Sequence, residues 1–477
     1  MSEKQLIIQY HKWNKKDRKK LFHSIKEILD ISSSQFYIPL FSLYYYIHNT
    51  PNSHKTIDFK RKYYISEIQS IEKERYYNSN MFLKGIIYDS HKNIYNEKDI
   101  FCKTISILDT NQSVIDNYNL RNKRPSHLPS NYNYNSFHKI NDIDNTAYID
   151  VFCSYLFSEL TLNKINPSFA IFYGSINGMG KYKYDITEEY HDLIIDKCFH
   201  KNIGKGFIME MYVDSDSDND SNSDNDSDIE SISTSRDDYV AVLKHTPLQL
   251  LFMEKLEGTL EDIIKDPEIS NLSNLLKSCL FQISFSLSYL QKHYQFTHND
   301  LHINNIMYKK TDRKFLYYKF NNIYFQVPTY GKIFKIIDFG RSIFTFKNKT
   351  FMNDVFSKYG EAGGQYYYPE QVKFIKEKIS KDKIIKPNYH FDLCRLSMTI
   401  LEDLTDDIDQ DLFDLFNKMC IDCNKNNFRD MSDNFSLYVS IAKNATNALP
   451  VNIIQNKLFS SYKIPKKKFP TKSYYTL

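Results

Sequence analysis

The most informative residues of this chain are His298-Asn299-Asp300-Leu301-His302-Ile303-Asn304-Asn305 and, further along, Ile336-Ile337-Asp338-Phe339-Gly340. Apolar residues in both segments would attach these loops to a hydrophobic core. The segments supply two carboxylates and an amide, which is the set that phosphoryl transfer requires: one Asp accepts the proton of the attacking hydroxyl, while an Asn and a second Asp hold Mg²⁺ on the phosphates. The pattern therefore predicts a site that works by positioning and charge neutralisation.

The two segments resemble the signature of the eukaryotic protein-kinase family, HRDLxxxxN followed by DFG. The resemblance implies that Asp300 is the catalytic base, that Asn305 is a metal ligand and that Asp338 is the main metal ligand. It also implies an α+β, two-lobed protein-kinase-like fold, with a small β-rich N-lobe and a large helical C-lobe. ATP and Mg²⁺ are the implied cofactors, and Ser/Thr hydroxyls of protein substrates are the implied acceptors.

A further likeness to kinases precedes these segments. The run Leu250–Gly258 is similar to the family's fifth strand, gatekeeper and hinge. By that resemblance Met253 is the gatekeeper, and the backbones of Glu254 and Leu256 bond adenine. The resemblance covers roughly residues 80 to 445.

Later motifs agree with the family in part and depart from it in part. Tyr368-Pro369-Glu370 stands where kinases have Ala-Pro-Glu, and Phe391-Asp392-Leu393 matches the buried Asp that opens the central helix of the large lobe. Asn299 replaces the Arg of HRD, which argues against control by loop phosphorylation. His302, a candidate catalytic residue, stands where Ser/Thr kinases usually have Lys. The position of this His also resembles the motif of small-molecule phosphotransferases, so a non-protein phosphate acceptor remains an alternative.

The nucleotide-binding lysine has two candidates. Val240–Lys244 imitates the family's Val-Ala-Ile-Lys strand, but the hinge at Glu254 follows too closely for a helix and a strand to fit between. The sequence therefore favours Lys103, which precedes a predicted helix. Its acidic partner is either Asp150 or Glu159.

Three runs resemble the divergent Ser/Thr kinases of giant DNA viruses such as mimivirus: Ile100–Asp109, Asn145–Asp150 and Phe172–Gly174. The phosphate-binding loop is less familiar, because no GxGxxG precedes the strands around Lys103 and only Gly85 is available. This absence keeps a catalytically inactive kinase-fold scaffold as an alternative. Gly174–Lys181 imitates a P-loop with the wrong spacing, and a hairpin after a strand is the preferred interpretation.

Hydrophobic periodicity predicts the main elements. The expected strands are Met81–Tyr88, Asp99–Leu108, Phe169–Tyr173 and Leu248–Met253. The expected helices are Asn145–Leu162, capped by Asn145 or Asp144, and about Asn271–His293. The second helix should bury one stripe, formed by Leu276, Leu280, Ile283, Leu287 and Leu290. Between the two polar segments, Tyr308–Lys335 predicts an extended hairpin on the surface.

Length and charge bound the organisation of the chain. Its 477 residues, with 42% hydrophobic and 25% charged side chains, fit a globular protein with a sizeable core. The expected divisions are an extension of unknown role over 1–78, an N-lobe over 79–254, a C-lobe over 255–450 and a basic tail over 451–477. Within the N-lobe, the acidic Ser/Asp/Asn tract 214–238 is expected to be disordered.

The class of partner follows from the same composition. The net charge of +4 is modest, and the basic clusters Lys15–Lys20 and Lys466–Lys468 are interpreted as solvated surface, so specific binding of nucleic acid is not expected. Met1–Lys20 is polar and the apolar run Phe36–Ile47 is too short to span a bilayer. Seven irregularly spaced cysteines fit a reducing compartment, so a soluble intracellular protein is expected.

Overall fold

The computed structural model describes residues 8–36, 39, 57–74, 79–116, 118, 136–212, 238–347, 349–357, 360–367, 386–404, 408–431 and 435–477. All of the predicted acidic tract 214–238 except Asp238 lies outside these residues, as does the motif Tyr368-Pro369-Glu370. Within them the fold is α+β, and the N-terminal part is β-rich. None of the described helices combines the length and apolar character that crossing a membrane requires.

The strands are numbered in chain order. They are β1 Tyr10–Lys12, β2 Ser32–Gln35, β3 Ile57–Phe59, β4 Tyr63–Glu74, β5 Met81–Asp89, β6 Ile94–Ser106, β7 Phe172–Asp185, β8 Phe207–Tyr212, β9 Asp238–Glu254, β10 Gly258–Thr259, β11 Ile306–Lys310, β12 Phe315–Phe320, β13 Ile323–Pro328, β14 Lys332–Ile336, β15 Ile343–Phe346, β16 Lys349–Met352, β17 Lys463–Ile464 and β18 Tyr475–Thr476.

The α-helices are numbered in the same way. They are α1 Lys15–Leu29, α2 Thr110–Val114, α3 Phe137–Ile140, α4 Thr146–Leu162, α5 Tyr190–Leu193, α6 Lys197–Asn202, α7 Leu260–Ile264, α8 Leu272–Tyr294, α9 Phe391–Asp403, α10 Gln410–Met419, α11 Phe435–Asn444 and α12 Pro450–Ile453. Short 3₁₀ turns cover Ile303–Asn305, Asp354–Phe356, Phe428–Asp430, Lys457–Tyr462 and Lys466–Lys468.

The chain divides into two compact units. Unit 1 contains Ile143–Tyr173 and Met253–Leu477, and unit 2 contains Gln9–Asp142 and Gly174–Phe252. Unit 2 is built on a seven-stranded sheet with the order β2-β7-β9-β6-β5-β4, in which β8 also pairs with β9. The expected strands over Met81–Tyr88 and Asp99–Leu108 are β5 and β6, which pair antiparallel.

The boundary predicted at residue 78/79 is corrected by this sheet. Strand β4 pairs antiparallel with β5 from Tyr63 opposite Asp89 to Glu74 opposite Met81, so the boundary falls between two paired strands. Helix α1 packs on β4, where the backbone N–H of Ile68 donates to Ser24 Oγ at 3.0 Å. Residues 9–74, as far as they are described, therefore belong to the core of unit 2.

The hairpin expected around Gly174–Lys181 is also corrected. These residues lie inside the continuous strand β7, which begins at Phe172. A Cβ atom at Gly178 or Gly180 would collide with the side chain of Ile31, which precedes β2. The glycines therefore permit close packing against a neighbouring segment and do not make a turn.

Strand β9 contains one of the two lysine motifs. The expected strand Leu248–Met253 is its last part, and Val240–Lys244 lies earlier in the same strand. Lys244 is exposed, as predicted. Strand β9 begins at Asp238, which the sequence assigned to the end of the acidic tract.

Unit 1 is organised around helix α8. The helix begins after its N-cap Asn271, and Leu276, Leu280, Ile283, Leu287 and Leu290 are all buried, which confirms the predicted stripe. The expected hairpin is present as the antiparallel pair β12–β13, inside the pair β11–β14. It is not purely a surface feature, because Tyr318 and Phe325 are fully buried against Phe281 of α8.

The predicted basic tail, 451–477, is part of this fold. Strand β17 pairs with β13, and β18 pairs with β12, so the hairpin is extended to a four-stranded sheet. The ring of Phe459 lies 5.2 Å from that of Phe281, and Phe459 is fully buried. Burial of aromatic side chains fixes this segment, which its lysines had led us to predict as a basic tail.

Candidate active site

The loop 298–305 is fixed by a buried carboxylate. Asp392, in the first turn of α9, accepts hydrogen bonds from the backbone N–H groups of His298 and Asn299, both at 2.9 Å. Burial raises the pKa of Asp392, and the two N–H donors oppose that shift. As expected, Asp392 is buried and lies in the first turn of a helix, α9.

The two polar segments of the sequence are neighbours in unit 1. The imidazole Nε2 of His298 is 2.9 Å from the carbonyl oxygen of Ile337. The N–H of Ile337 donates to the carbonyl oxygen of Asn305 at 3.1 Å. These two contacts bring Asp300 and Asn305 of the first segment into the same region as Asp338 of the second.

Asn305 has its amide nitrogen engaged and its amide oxygen available. Nδ2 donates to the carbonyl oxygen of Asp300 at 2.8 Å and lies 3.0 Å from Nε2 of His302. Burial lowers the pKa of His302, which favours the neutral ring. A neutral ring has one acceptor nitrogen, and Nδ1 lies 3.3 Å from the backbone N–H of Asn304. Among the described residues, no hydrogen bond engages Oδ1 of Asn305, which leaves that oxygen for a ligand.

The conformation of the segment at Asp338 is special. Asp338 has φ of 62°, the left-handed region that non-glycine residues rarely adopt. Its Oδ1 accepts the N–H of Gly340 at 3.3 Å. Phe339 is buried in an aromatic cluster, with ring centroids 5.1 Å from Phe157 and 6.2 Å from Phe296. The packing of Phe339 thus fixes the backbone that carries the Asp338 carboxylate.

Helix α4 carries both candidate partners of the nucleotide-binding lysine. Its predicted N-cap is confirmed, since Asn145 accepts the N–H of Ala147 at 3.0 Å. Asp150 is 1% exposed and accepts the N–H of Phe339 at 3.1 Å. Glu159 lies at the other end of the helix, 3.4 Å from Nδ2 of Asn163. The geometry therefore favours Asp150 as the acidic group of the site.

The predicted hinge residues belong to unit 1 as well. Met253 and Leu256 are buried, and Glu254 makes a double link with Ile171. In that link the N–H of Glu254 donates to the carbonyl of Ile171 at 2.9 Å, and its carboxylate accepts the N–H of Ile171 at 3.0 Å. In the part of the chain that is described, the N–H of Leu256 has no hydrogen-bond acceptor, as an adenine-binding position requires.

Lys103 stands apart from the other predicted site residues because it belongs to unit 2. It is half-buried on β6, near Tyr182 of β7. Burial raises the pKa of Tyr182, and the positive charge of Lys103 opposes this shift.

Asn299 stands where the HRD motif has Arg, and it forms hydrogen bonds with neutral groups. It is fully buried with φ of 66°, and its Nδ2 donates to the carbonyl of Arg341 at 2.9 Å. The hydroxyl of Tyr366, also buried, donates to Oδ1 of Asn299 at 2.9 Å. Asn299 thus links Arg341 with Tyr366.

Several residues of this region were missed in the sequence. Arg341 directly follows Gly340, and its guanidinium pairs with Glu361. Asn353 donates to the carbonyl of Gly340 and accepts the hydroxyl of Thr146, the first residue of α4. Tyr438 donates to the Asp300 carboxylate. Only Arg341 carried a signal, its position beside the Asp-Phe-Gly motif.

The oxygen donors of the site suit a metal ion that is bound together with substrate phosphates and water. Among the described residues, no group of three or more His, Cys, Asp or Glu side chains could hold an ion. Magnesium, however, is usually bound by one or two carboxylates together with substrate phosphates and water. The oxygens of Asn305 and Asp338 suit that mode and would hold Mg²⁺ together with a nucleotide.

Comparison with known proteins gives a partial relationship. No protein-family model matches the chain. Over 91 residues, 18% of its length, the chain is 38% identical to a probable serine/threonine-protein kinase from Dictyostelium discoideum. The match spans 8% of that relative. The chain is therefore similar to a probable kinase over part of its length, and the expected likeness to viral kinases receives no support from this match.

Proposed function

We propose that this protein is a serine/threonine protein kinase, which transfers the γ-phosphoryl group of ATP to protein hydroxyls in a Mg²⁺-dependent reaction. The observation that carries the proposal is the pairing of loop 298–305 with segment 336–340 above the buried carboxylate of Asp392. This pairing gathers Asp300, Asn305 and Asp338 in one unit. The partial similarity to a probable kinase supports the same conclusion.

Each residue has a proposed role. Asp300 accepts the proton of the acceptor hydroxyl, since its side chain in loop 298–305 is half-exposed. Asn305 and Asp338 hold Mg²⁺, which when bound neutralises charge on the phosphates. His302 orients the amide of Asn305 through its ring nitrogen. Loss of any of the three oxygen donors should therefore affect transfer more than stability.

The roles proposed for the nucleotide-binding residues rest on the kinase resemblance. By that resemblance Lys103 is the cation for the phosphates, Asp150 is the preferred acidic residue, and the backbones of Glu254 and Leu256 bind adenine next to Met253. With this assignment unit 2 corresponds to the small lobe and unit 1 to the large lobe of a kinase-like fold. The likeness of Ile100–Asp109 and its companion runs to viral kinases remains a prediction from sequence.

One alternative acceptor is supported by a specific residue. His302 stands where protein kinases usually carry Lys, and burial favours its neutral form. A His at this position resembles the motif of small-molecule phosphotransferases. A scaffold without activity is less well supported, because a scaffold does not need the oxygen donors of Asn305 and Asp338.

Incubation with labelled ATP and Mg²⁺ tests the proposal. The purified chain is supplied with generic protein substrates in one set of reactions and with small hydroxyl acceptors in another, with Asp300→Asn as the matched control. Label should appear on Ser or Thr of the proteins, and Asp300→Asn should incorporate far less. Label on small acceptors alone would favour the alternative. Absence of transfer to both, with wild-type protein that is folded, would contradict enzyme function.

A further inference from the structure

Tyr438 makes a direct contact with the proposed catalytic base. It lies on α11, and its hydroxyl donates to Oδ1 of Asp300 at 3.2 Å. Both residues belong to unit 1, although 138 positions separate them in sequence. The other carboxylate oxygen of Asp300, Oδ2, has no hydrogen-bond partner among the described residues. The base therefore presents one engaged and one available oxygen.

The ring of Tyr438 is held on several sides. The guanidinium carbons of Arg341 and Arg395 lie 5.8 and 5.4 Å from the ring centroid, and the ring of Phe391 lies 5.9 Å away. Cations over an aromatic face attract it, more strongly where water is excluded. Since Phe391 directly precedes Asp392, these contacts tie Tyr438 to the helix that supports loop 298–305.

The hydroxyl of Tyr438 is a donor over the working range of pH. Burial raises the pKa of the Tyr438 phenol, and the negative charge of Asp300 raises it further. The phenol therefore keeps its proton. A protonated phenol beside a carboxylate forms a charge-assisted hydrogen bond. At 3.2 Å this one is longer than the usual O–H···O bond.

Such a bond matters because a carboxylate can otherwise rotate. The terminal torsion of Asp has a broad distribution, so a free side chain samples many orientations. A base transfers a proton efficiently only when its oxygen lies within hydrogen-bond reach of the reacting hydroxyl. One fixed donor on Oδ1 selects the orientation that leaves Oδ2 for the acceptor.

We propose that Tyr438 is a positioning residue, which orients the Asp300 carboxylate so that Oδ2 receives the proton of the acceptor hydroxyl. The inference rests on the proposed kinase function and adds a residue that lies outside the kinase motifs. It requires the hydroxyl and not the ring. Tyr438→Phe keeps the ring contacts with Arg341 and Arg395 and removes the hydroxyl, together with its hydrogen bonds to Asp300 and Arg395.

The test compares Tyr438→Phe with a matched control. Tyr184→Phe also removes a half-buried hydroxyl that is hydrogen-bonded to a carboxylate, that of Glu189 at 3.3 Å in unit 2. Tyr438→Phe should lower kcat roughly tenfold, the scale of one hydrogen bond to a charged group. Its KM values for ATP and protein substrate should stay within about twofold, since binding does not use this bond. Tyr184→Phe should leave kcat unchanged.

The outcomes separate this inference from the proposed function. If wild-type protein transfers phosphate and Tyr438→Phe has the same kcat, the inference is wrong and the kinase assignment stands. A higher kcat would mean that the phenol blocks the base, and a raised KM alone would mean a role in substrate binding; both contradict positioning. Wild-type protein without transfer would overturn both. Tyr438→Leu, with thermal unfolding as a check, should show the same loss of kcat if it folds.

Discussion

The two units use their polar residues differently. In unit 1, polar side chains bond to backbone groups and converge on loop 298–305 and segment 336–340, with Asp392 below them. In unit 2, the described buried charges support the sheet, as in the pair of Arg61 and Asp58 at 2.7 Å, each with a side chain that is 1% exposed. Catalytic groups must be particular residue types, whereas many different sequences can form a stable sheet. Only the catalytic residues can therefore be recognised as a sequence motif.

The largest expected effect tests whether unit 2 contributes to chemistry at all. Lys103→Met should lower kcat roughly a thousandfold, because it removes the cation proposed to neutralise the phosphates. Lys244→Met is the matched control: it changes an exposed lysine of the same sheet and should alter kcat less than about twofold. Steady-state transfer of labelled phosphate measures both.

The contrary result is equally clear. If Lys244→Met alone destroys activity in a folded protein, the assignment of the small lobe fails. The motifs of unit 1 would not be affected by that outcome.

The second prediction concerns the stability of unit 2. Arg61→Ala should reduce the free energy of unfolding by about 3 kcal/mol, because Asp58 would remain as a buried charge without its ion pair. Asp58 would keep only the Trp13 indole N–H, at 3.2 Å, among its described side-chain donors. Urea unfolding measures the change.

Lys60→Ala is the control for this experiment. Its ammonium makes an exposed hydrogen bond to Gln9, so the free energy of unfolding should change by less than about 0.5 kcal/mol. Equal stability of Arg61→Ala and wild type would contradict the stabilising role given to the Arg61–Asp58 ion pair.

The smallest effect concerns Asn299 in unit 1. Asn299→Ala should cost about 2 kcal/mol of stability, because it leaves the Arg341 carbonyl and the Tyr366 hydroxyl without this partner. Asn304→Ala, at an exposed neighbour, should cost little.

Treatment of wild-type protein with phosphatase should change kcat less than twofold, since no phosphate is needed in the network. A large loss of activity on dephosphorylation would contradict this account of Asn299.

Regular periodicity made part of the fold predictable. The buried stripe of α8 and the N-cap of α4 follow from local spacing, and both are confirmed. Strand β4 was missed because its register against β5 shifts three times, between Ile65 and Glu67, Ile68 and Ser70, and Ile71 and Lys73. Such bulges break the alternation that identifies a strand.

Contacts over long sequence distances limited the prediction of the site. The types and spacing of Asp300, Asn305 and Asp338 could be read from the sequence, because their chemistry restricts them. Tyr438 could not, since only the folded chain brings α11 to the base. The glycines at 178 and 180 misled for the same reason: the atoms that require them belong to Ile31, far away in the chain.

The central claim is that loop 298–305 and segment 336–340 form one site, which binds a nucleotide with Mg²⁺ and contains the catalytic base Asp300. Calorimetric binding of ATP, with and without Mg²⁺, tests it most directly when combined with transfer assays of Asp338→Asn and Asp300→Asn. Magnesium should tighten ATP binding to wild type and to Asp300→Asn, but not to Asp338→Asn. Both variants should transfer phosphate at least about a hundredfold more slowly than wild type. If both variants bind MgATP and phosphorylate substrate as wild type does, the assignment is wrong.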